Sequence, residues 1–154
     1  MCDFFNLRAA VTEQAEKNGW EHFAHQADVG IRGYGATKQE AFEQAAVALT
    51  AVIAELEKVE PNEKIQINCQ AGDDEILFVD WLNRLLYEMD TRRMLFGRFE
   101  VHIDKGCLTA DAYGEKIDVK KHSPAVEVKA ATYNSLSVKQ REDGVWIAQC
   151  VVDV

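Results

Sequence analysis

The sequence predicts an α+β fold in which two amphipathic helices pack on one face of a mainly antiparallel or mixed β-sheet. Two segments, at about residues 37–58 and 73–92, carry apolar residues at helical spacing. Segments with alternating polar and apolar residues, which are typical of strands, precede, separate and follow them. The 154 residues are 47% hydrophobic and 28% charged, as in a soluble globular protein that is large enough to bury its own core. This order of elements favours an α+β sandwich.

The chain divides into a short N-terminal extension and one domain. Residues 1–19 are the predicted extension, and residues 20–154 are predicted to form a single domain. Within the extension, residues 5–18 have an imperfect apolar stripe that ends at an Asn-Gly pair, which predicts a short helix. The domain begins with two short strand-like pieces, EHFAHQA and GIRGYGA.

Both main helices carry recognisable terminal signals. The first starts with TKQE at residues 37–40, a capping box in which Thr37 caps the helix and Glu40 reaches back. The second has Asp73 and Asp74 at its start and two arginines at its end, where the helix dipole favours each charge. The core-facing residues of the two helices are predicted to include Phe42, Leu49, Ile53, Leu82 and Leu86.

The remaining strands are predicted from period-two alternation and from turn signals. KIQINCQ, at residues 64–70, lies between the two helices, and four strand-like segments follow the second helix. Lys105-Gly106 separates the first two of these four, and Asp143-Gly144 separates the last two. The sequence therefore predicts two hairpins.

Charge and hydropathy limit the kinds of partner. Lys and Arg number 17 and Asp and Glu number 26, so the formal net charge is −9. A chain of this charge repels phosphate backbones, so we expect no independent nucleic-acid binding and instead expect a basic partner protein or a cation. No apolar run approaches the roughly 20 residues of a membrane span, and the N-terminus has no signal-peptide pattern. No membrane association is expected.

The four cysteines are far apart and form no Cys-x-x-Cys pair, so a zinc ribbon or a thioredoxin-type site has no support. Cys69, Cys107 and Cys150 lie in strand-like runs, where a free thiol behaves as a small buried hydrophobe. Reduced cysteines in a cytoplasmic protein are the expectation.

The stretch HFAHQADVGIRGYG, residues 22–35, places an aspartate where a strand interior disfavours one. Asp28 has two interpretations: a turn former that bonds its own backbone, or a functional carboxylate. His22 and His25 are three residues apart in a predicted strand, so they face opposite sides and chelate poorly as a pair. One of them is expected to be a structural, hydrogen-bonded histidine.

The end of the chain carries a second unusual carboxylate. Asp153 ends the apolar run VWIAQCVVD, and Val154 adds the α-carboxylate beyond it. The apolar register up to Val152 predicts that this segment is held in the sheet. If the sheet brings Asp28 next to Asp153 and Val154, the acidic cluster requires a proton, a basic side chain or a hard cation such as calcium or magnesium.

Four blocks stand out along the chain: FAHQADVGIRGYGATKQEAFEQAAVAL, LLYEMD, GEKIDVKKHSPAVEVKAATYNSLSV and VVDV. Together they resemble the archease family. The blocks occur in the family's order, and the resemblance covers residues 20–154. The family's usual opening has Thr where this chain has Gln26, but Asp28 is kept. The resemblance implies that Asp28, Asp153 and Val154 share a divalent cation, with calcium preferred and magnesium or manganese as alternatives.

The resemblance also implies a function. Archeases activate RtcB-type RNA ligases in tRNA splicing and RNA repair by promoting guanylylation of the ligase's active-site histidine and supporting multiple turnovers. A member is therefore an activator and not itself an enzyme. Lys129 and His25 become candidates for contacting the ligase or orienting the acidic site, with an exposed strand lysine and a structural histidine as the alternatives.

Two other functions stay open at this stage. A metal-dependent phosphohydrolase would use Asp28, Asp153 and His25 around a divalent ion, but the sequence offers no clear base and no basic cluster for phosphate. A chaperone-like interaction module is compatible with the acidic surface. Guanylylation of the cognate ligase, measured with and without this protein, separates all three functions.

Overall fold

A computed structural model describes residues 18–154, in which antiparallel strands form two sheets against two main helices. The strands are β1 (Gly19–His25), β2 (Asp28–Gly35), β3 (Glu63–Gln70), β4 (Met94–Asp104), β5 (Cys107–Lys116), β6 (Ala130–Ala131), β7 (Ser137–Gln140) and β8 (Trp146–Asp153). The helices are α1 (Lys38–Ile53), α2 (Asp74–Arg92) and the single turn α3 (Val119–His122), with a 3₁₀ turn at Leu56–Lys58. The short helix predicted for residues 5–18 falls outside the described residues apart from Asn18.

The strands belong to two sheets instead of the single sheet that the alternation suggested. One sheet has the order β1-β2-β8-β6, with β7 also paired to β8, and the other has the order β3-β5-β4. The pairings are antiparallel, so the predicted α+β class is confirmed. Alternation shows which side of a strand is buried, but it does not show which strand lies beside it.

Helix α1 lies directly on β2, and glycine makes this approach possible. A Cβ atom on Gly33 would lie 2.2 Å from the carbonyl oxygen of Ala41 and 2.3 Å from the amide nitrogen of Ala45. The same helix contacts β8 and also β4 of the smaller sheet, while α2 contacts β3 and β6. The helices thus join the two sheets into one core.

Side chains of α1 also accept hydrogen bonds from backbone amides on the outer edge of β4. The amide of Val101 donates to the Glu43 carboxylate at 2.7 Å, and the amide of Ile103 donates to the Gln39 side-chain oxygen at 2.7 Å. Half-burial of Glu43 raises the pKa of its carboxyl, although the hydrogen bond from Val101 acts in the opposite direction. This edge is therefore occupied by a helix and does not offer a free template for another strand.

The terminal signals of both helices are confirmed with small differences. The Glu40 amide donates to the Thr37 hydroxyl at 3.1 Å, while the Glu40 carboxylate accepts from the amide of Ala36, one residue before the cap. Asp73 caps α2 by accepting from two amides of its first turn. Helix α1 ends at Ile53 rather than near residue 58, because the Ile53 carbonyl accepts from Ala125 instead of from a further helical turn.

The core contains the predicted residues of both helices. Phe42, Leu49 and Leu82 are fully buried, and Ile53 and Leu86 are partly buried against the same cluster. The two predicted hairpins are also present, since β4 pairs with β5 and β7 pairs with β8. Among the described residues, no helix combines the length and the hydropathy needed to cross a membrane.

The described cysteines, Cys69, Cys107 and Cys150, are free. Burial raises the pKa of the Cys150 thiol to about 12 and also raises the pKa of Cys69. Cys107 is exposed, contrary to the expectation of burial, because it is the first residue after the hairpin turn and stands opposite Gln70 on the outer side of the smaller sheet.

Candidate functional site

The register of the larger sheet places the predicted acidic residues in one row. His25 pairs with Asp28 across β1 and β2. Val29 pairs with Val152 across β2 and β8, so the next position of this antiparallel ladder sets Asp28 opposite Asp153. Ala130 of β6 pairs with Asp153 on the other side. We call Asp28 and Asp153 the acidic row; the side chains of His25, Asp28 and Asp153 share one side of the sheet because these residues are cross-strand neighbours.

The last residue of the chain closes this row. The amide of Val154 donates to a carboxylate oxygen of Asp28 at 3.4 Å. The Asp153 carbonyl accepts from the amide of Lys129 at 2.8 Å, which holds the end of β8 in place. Asp28 is half-buried and Asp153 is exposed. The structure thus brings Asp28, Asp153 and Val154 together, while their role as metal ligands stays a prediction.

The turn between β1 and β2 bears on the two interpretations of Asp28. Gln26 and Ala27 make the turn, and Asp28 is the first residue of β2. Gln26 has φ of 55°, a region that β-branched residues rarely adopt, so glutamine suits this position. The hydrogen bond of the Asp28 side chain comes from the far end of the chain and not from its own turn. This geometry argues against a turn former, and a functional role for the carboxylate stays a prediction.

The two histidines of the motif have different environments. The Nε2 atom of His22 lies 2.8 Å from the Ala48 carbonyl on α1, so His22 is the structural histidine that the sequence predicted. His25 lies beside the acidic row, opposite Asp28, on the other side of β1 from His22. Its Nδ1 atom is buried and has no hydrogen-bond partner among residues 18–154. A contact of His25 with a ligase stays a prediction.

The arginine on the same side of β2 is already engaged. Arg32 contacts Glu21 at 2.7 Å and donates to the Gln149 side chain at 2.7 Å. The Tyr34 hydroxyl donates to the same Glu21 carboxylate at 2.6 Å, and burial together with Glu21 raises the pKa of Tyr34 to about 12. Within residues 18–154, neither Asp28 nor Asp153 takes part in an ion pair. No basic side chain of this part of the chain neutralises the acidic row.

The donor chemistry of the row suits a hard cation. Two carboxylate side chains and the oxygen atoms of Val154 are the ligand type that calcium, magnesium and manganese prefer over thiolate and imidazole. Over the described range, no group of three His, Cys, Asp or Glu side chains is spaced to hold a metal ion. The proposed set contains only two such side chains, and its third member is the backbone end at Val154.

Lys129 precedes β6 and is exposed. Its backbone amide donates to the Asp153 carbonyl, and the next residue, Ala130, pairs with Asp153. The Lys129 side chain therefore begins close to the acidic row. Both readings of Lys129, as a partner contact and as an ordinary exposed lysine, are compatible with this position.

A second polar cluster was not predicted. His122 is buried; its Nδ1 accepts from the amide of Asp118 at 2.9 Å, so its Nε2 carries the proton toward Glu115, also 2.9 Å away. A hydrogen bond from the amide of Glu60, assisted by those from Lys121 and His122, lowers the pKa of Glu115 to about 2. The Asp-x-x-x-His spacing of residues 118–122 is the only sequence signal of this cluster.

The fold and the acidic row define a small α+β protein with a carboxylate cluster at one end of a sheet. A model of the Archease protein family (MTH1598/TM1083) matches residues 20–154. Protein archease of Pyrococcus furiosus is 45% identical over 139 residues, covering 88% of this chain and 98% of that protein. Protein archease of Methanosarcina barkeri is 39% identical over 140 residues, covering 88% of this chain and 95% of that protein.

Solved structures give the same result. The solution structure of Methanobacterium thermoautotrophicum protein 1598 matches with a TM-score of 0.77 and 36% identity, covering 88% of this chain and 99% of that one. The crystal structure of an archease from Thermotoga maritima, described as a possible chaperone, shares the fold with a TM-score of 0.57 at 18% identity, covering 87% of this chain and 96% of that one. The present chain belongs to the archease family.

Proposed function

We propose that this protein activates an RtcB-type RNA ligase in the cytoplasm, during tRNA splicing or RNA repair, without being a catalyst itself. It promotes guanylylation of the ligase's active-site histidine and supports multiple turnovers. Membership of the archease family supports this proposal. The observation that carries it is the position of Asp28 opposite Asp153, with Val154 bonded to Asp28. Such a row of unpaired acids has no evident part in holding the fold together.

The acidic row is the proposed site of a divalent cation. Asp28, Asp153 and the α-carboxylate of Val154 would hold calcium, or else magnesium or manganese. When bound, the ion supplies positive charge that can attract phosphate oxygens. The chain's own contribution is geometric: β2 and β8 fix the two aspartates, and Lys129 anchors the end of β8.

Charge supports a basic partner surface. The net charge of −9 favours fast encounter with a positively charged, nucleotide-binding mouth and disfavours direct binding to RNA. The encounter should therefore be faster at low ionic strength, where charges are less screened. An association rate that is indifferent to salt would remove this part of the proposal.

The test is guanylylation of the cognate ligase with labelled GTP, at one activator per ten or more ligase molecules. Wild-type protein should raise the rate and the extent beyond its own molar amount, because an activator is released and used again. Asp28→Ala and Asp153→Ala should abolish the stimulation, while Asp104→Ala, an exposed acid in the β4–β5 hairpin, should not. Stimulation that survives Asp28→Ala would contradict the proposal.

The same preparation separates the two other functions. A phosphohydrolase would release phosphate from a nucleotide without ligase, and it would lose that activity on Asp28→Ala. A chaperone-like module would protect unrelated proteins from aggregation and would not depend on the acidic row. Neither result is expected.

A further inference from the structure

A groove lies between the C-terminal half of α2 and the segment formed by residues 117–129. Its volume is about 660 Å³. Most of the residues that line it are apolar, among them Ile53, Leu86, Met89, Leu95 and Val128. Concave apolar sites of this size bind a small molecule or a few side chains of a partner.

The rim of the groove exposes large apolar side chains to solvent. Tyr87 is 57% exposed, Val119 is 70% exposed and Val126 is 39% exposed, and all three line the groove. In the described part of the chain, the other large apolar residues that are exposed to this degree are Ile76 and Tyr133. Exposed apolar residues that gather around one groove mark an interaction site more often than scattered ones do.

The segment that forms one wall is held in position. The amide of Ala125 donates to the Ile53 carbonyl at 2.9 Å. The buried His122 and its partner Glu115 hold α3, which lies within this wall. A wall fixed in advance reduces the entropy that a binding partner would otherwise lose on ordering it.

One residue, Lys129, connects the groove with the acidic row. Lys129 lines the groove, and its amide is the group that binds the Asp153 carbonyl. A partner that contacts Asp28 and Asp153 therefore has the groove within reach. Four charged residues in the lining, Asp90, Arg93, Glu127 and Lys129, are in no ion pair within residues 18–154.

We propose that this groove binds one peptide segment of the ligase, with two or three large apolar side chains in the groove and a basic residue at the end beside the acidic row. This inference rests on the proposed function and names the surface through which the ligase docks. Charge complementarity decides the orientation and the partner: the row presents unpaired carboxylates, and the chain as a whole carries a charge of −9. A second copy of this chain carries the same net charge, which disfavours it as the occupant.

The test compares two substitutions that add the same charge at equally exposed positions. Val126→Glu places a carboxylate in the groove, and Ile76→Glu places one at the start of α2, outside the groove; both wild-type side chains are 39% exposed. In titrations with the ligase, the affinity of Val126→Glu should be lower than that of wild type by about tenfold or more, as expected when an apolar anchor is lost. The affinity of Ile76→Glu should equal that of wild type. Tyr87→Ala should weaken binding in the same direction. Circular dichroism confirms that each variant is folded.

Guanylylation distinguishes this inference from the proposed function. At saturating concentration, Val126→Glu should still give the full guanylylation rate, because the groove docks the ligase and the acidic row activates it. Asp28→Ala should lose the stimulation even at saturating concentration, and it should weaken binding less than Val126→Glu does, because the apolar side chains in the groove stay in place. If wild type does not stimulate guanylylation, the proposed function fails, and the docking inference fails with it.

If wild type stimulates guanylylation and Val126→Glu binds the ligase as wild type does, the docking inference alone is overturned. Sedimentation of the isolated protein tests the other occupant. Self-association of wild type that Val126→Glu abolishes, with unchanged affinity for the ligase, would assign the groove to a second copy and would also overturn the inference.

Discussion

Asp28 and Asp153 lie opposite each other on the adjacent antiparallel strands β2 and β8, although they stand near opposite ends of the sequence. Directly opposite side chains in such a pair have Cβ atoms about 5 Å apart, so like charges there destabilise the sheet. No ion pair within the described residues relieves this repulsion. Replacing either acid by Asn is therefore expected to leave the metal-free fold intact or slightly more stable.

Leu49 tests the assignment of the core face of α1. Its side chain is fully buried in the main cluster. Leu49→Ala should lower the free energy of unfolding by about 2–5 kcal/mol, because it removes buried methyl groups and leaves a cavity. Urea unfolding measures the change, with the exposed Tyr133→Ala as a control near zero. A loss below half a kcal/mol (about the scatter of surface substitutions) would show that the face is misassigned.

Gly33 tests the contact between β2 and α1. A methyl group at this position would collide with backbone atoms of the helix, which cannot move aside as a flexible side chain can. We expect Gly33→Ala to cost about 1–3 kcal/mol or more, as overpacking does. Gly72→Ala is the matched control, since a Cβ there meets nothing within 4 Å. Equal unfolding midpoints for the two variants would contradict the described packing.

The Glu115 cluster makes stability depend on pH. The pKa of Glu115 falls from an ordinary 4.5 to about 2 in the folded protein, so the folded state favours the carboxylate. Its contribution to stability is present above pH 4.5 and is lost as the pH falls toward 2. Glu115→Gln should thus be less stable than wild type at pH 7, and the difference in urea midpoint should shrink on acidification below 4.5. A difference that is constant with pH would exclude this charge effect.

Glu43 should give stability the opposite pH dependence. Burial raises the pKa of this carboxyl above its ordinary 4.5, so the folded state favours the proton and stability falls as the pH rises through the shifted value. Glu43→Gln keeps an oxygen to accept from Val101 and removes the charge. The variant should be more stable than wild type at pH 7 and similar to it at pH 4. Urea midpoints at the two pH values check this, and a variant that is less stable at pH 7 would refute it.

The parts of the fold that the sequence predicted are those that depend on local signals. Thr37 marks the start of α1 through its capping box, and the acids Asp73 and Asp74 mark the start of α2 through their charge. Lys105-Gly106 and Asp143-Gly144 mark the hairpins. The predicted end of α1, near residue 58, lies too late in the chain, because the hydrogen bond from Ala125 that replaces the next turn comes from a distant segment. The division into two sheets was likewise not predicted, because it depends on pairing between strands that are far apart in the sequence.

The candidate site shows the same division between local and distant information. Asp28 was conspicuous because a strand disfavours aspartate, and the register that sets it beside Asp153 could only be assumed. The cluster around His122 is not predicted, because its partner Glu115 lies in a different element and the Asp-x-x-x-His spacing alone does not show that the histidine is buried. The groove was also beyond prediction, since its walls come from α2 and from an irregular segment that has no periodicity.

The most direct test of the account is calorimetric titration of calcium, and then of magnesium and manganese, into the isolated protein. Wild type should bind one ion at a single site, and its melting temperature should rise with the ion concentration, because the ion binds the folded state. Asp28→Asn and Asp153→Asn should each lose both the binding heat and most of the thermal shift, whereas Asp104→Asn should keep them. If Asp28→Asn binds the ion as tightly as wild type does, the acidic row is not the metal site and the central claim is contradicted.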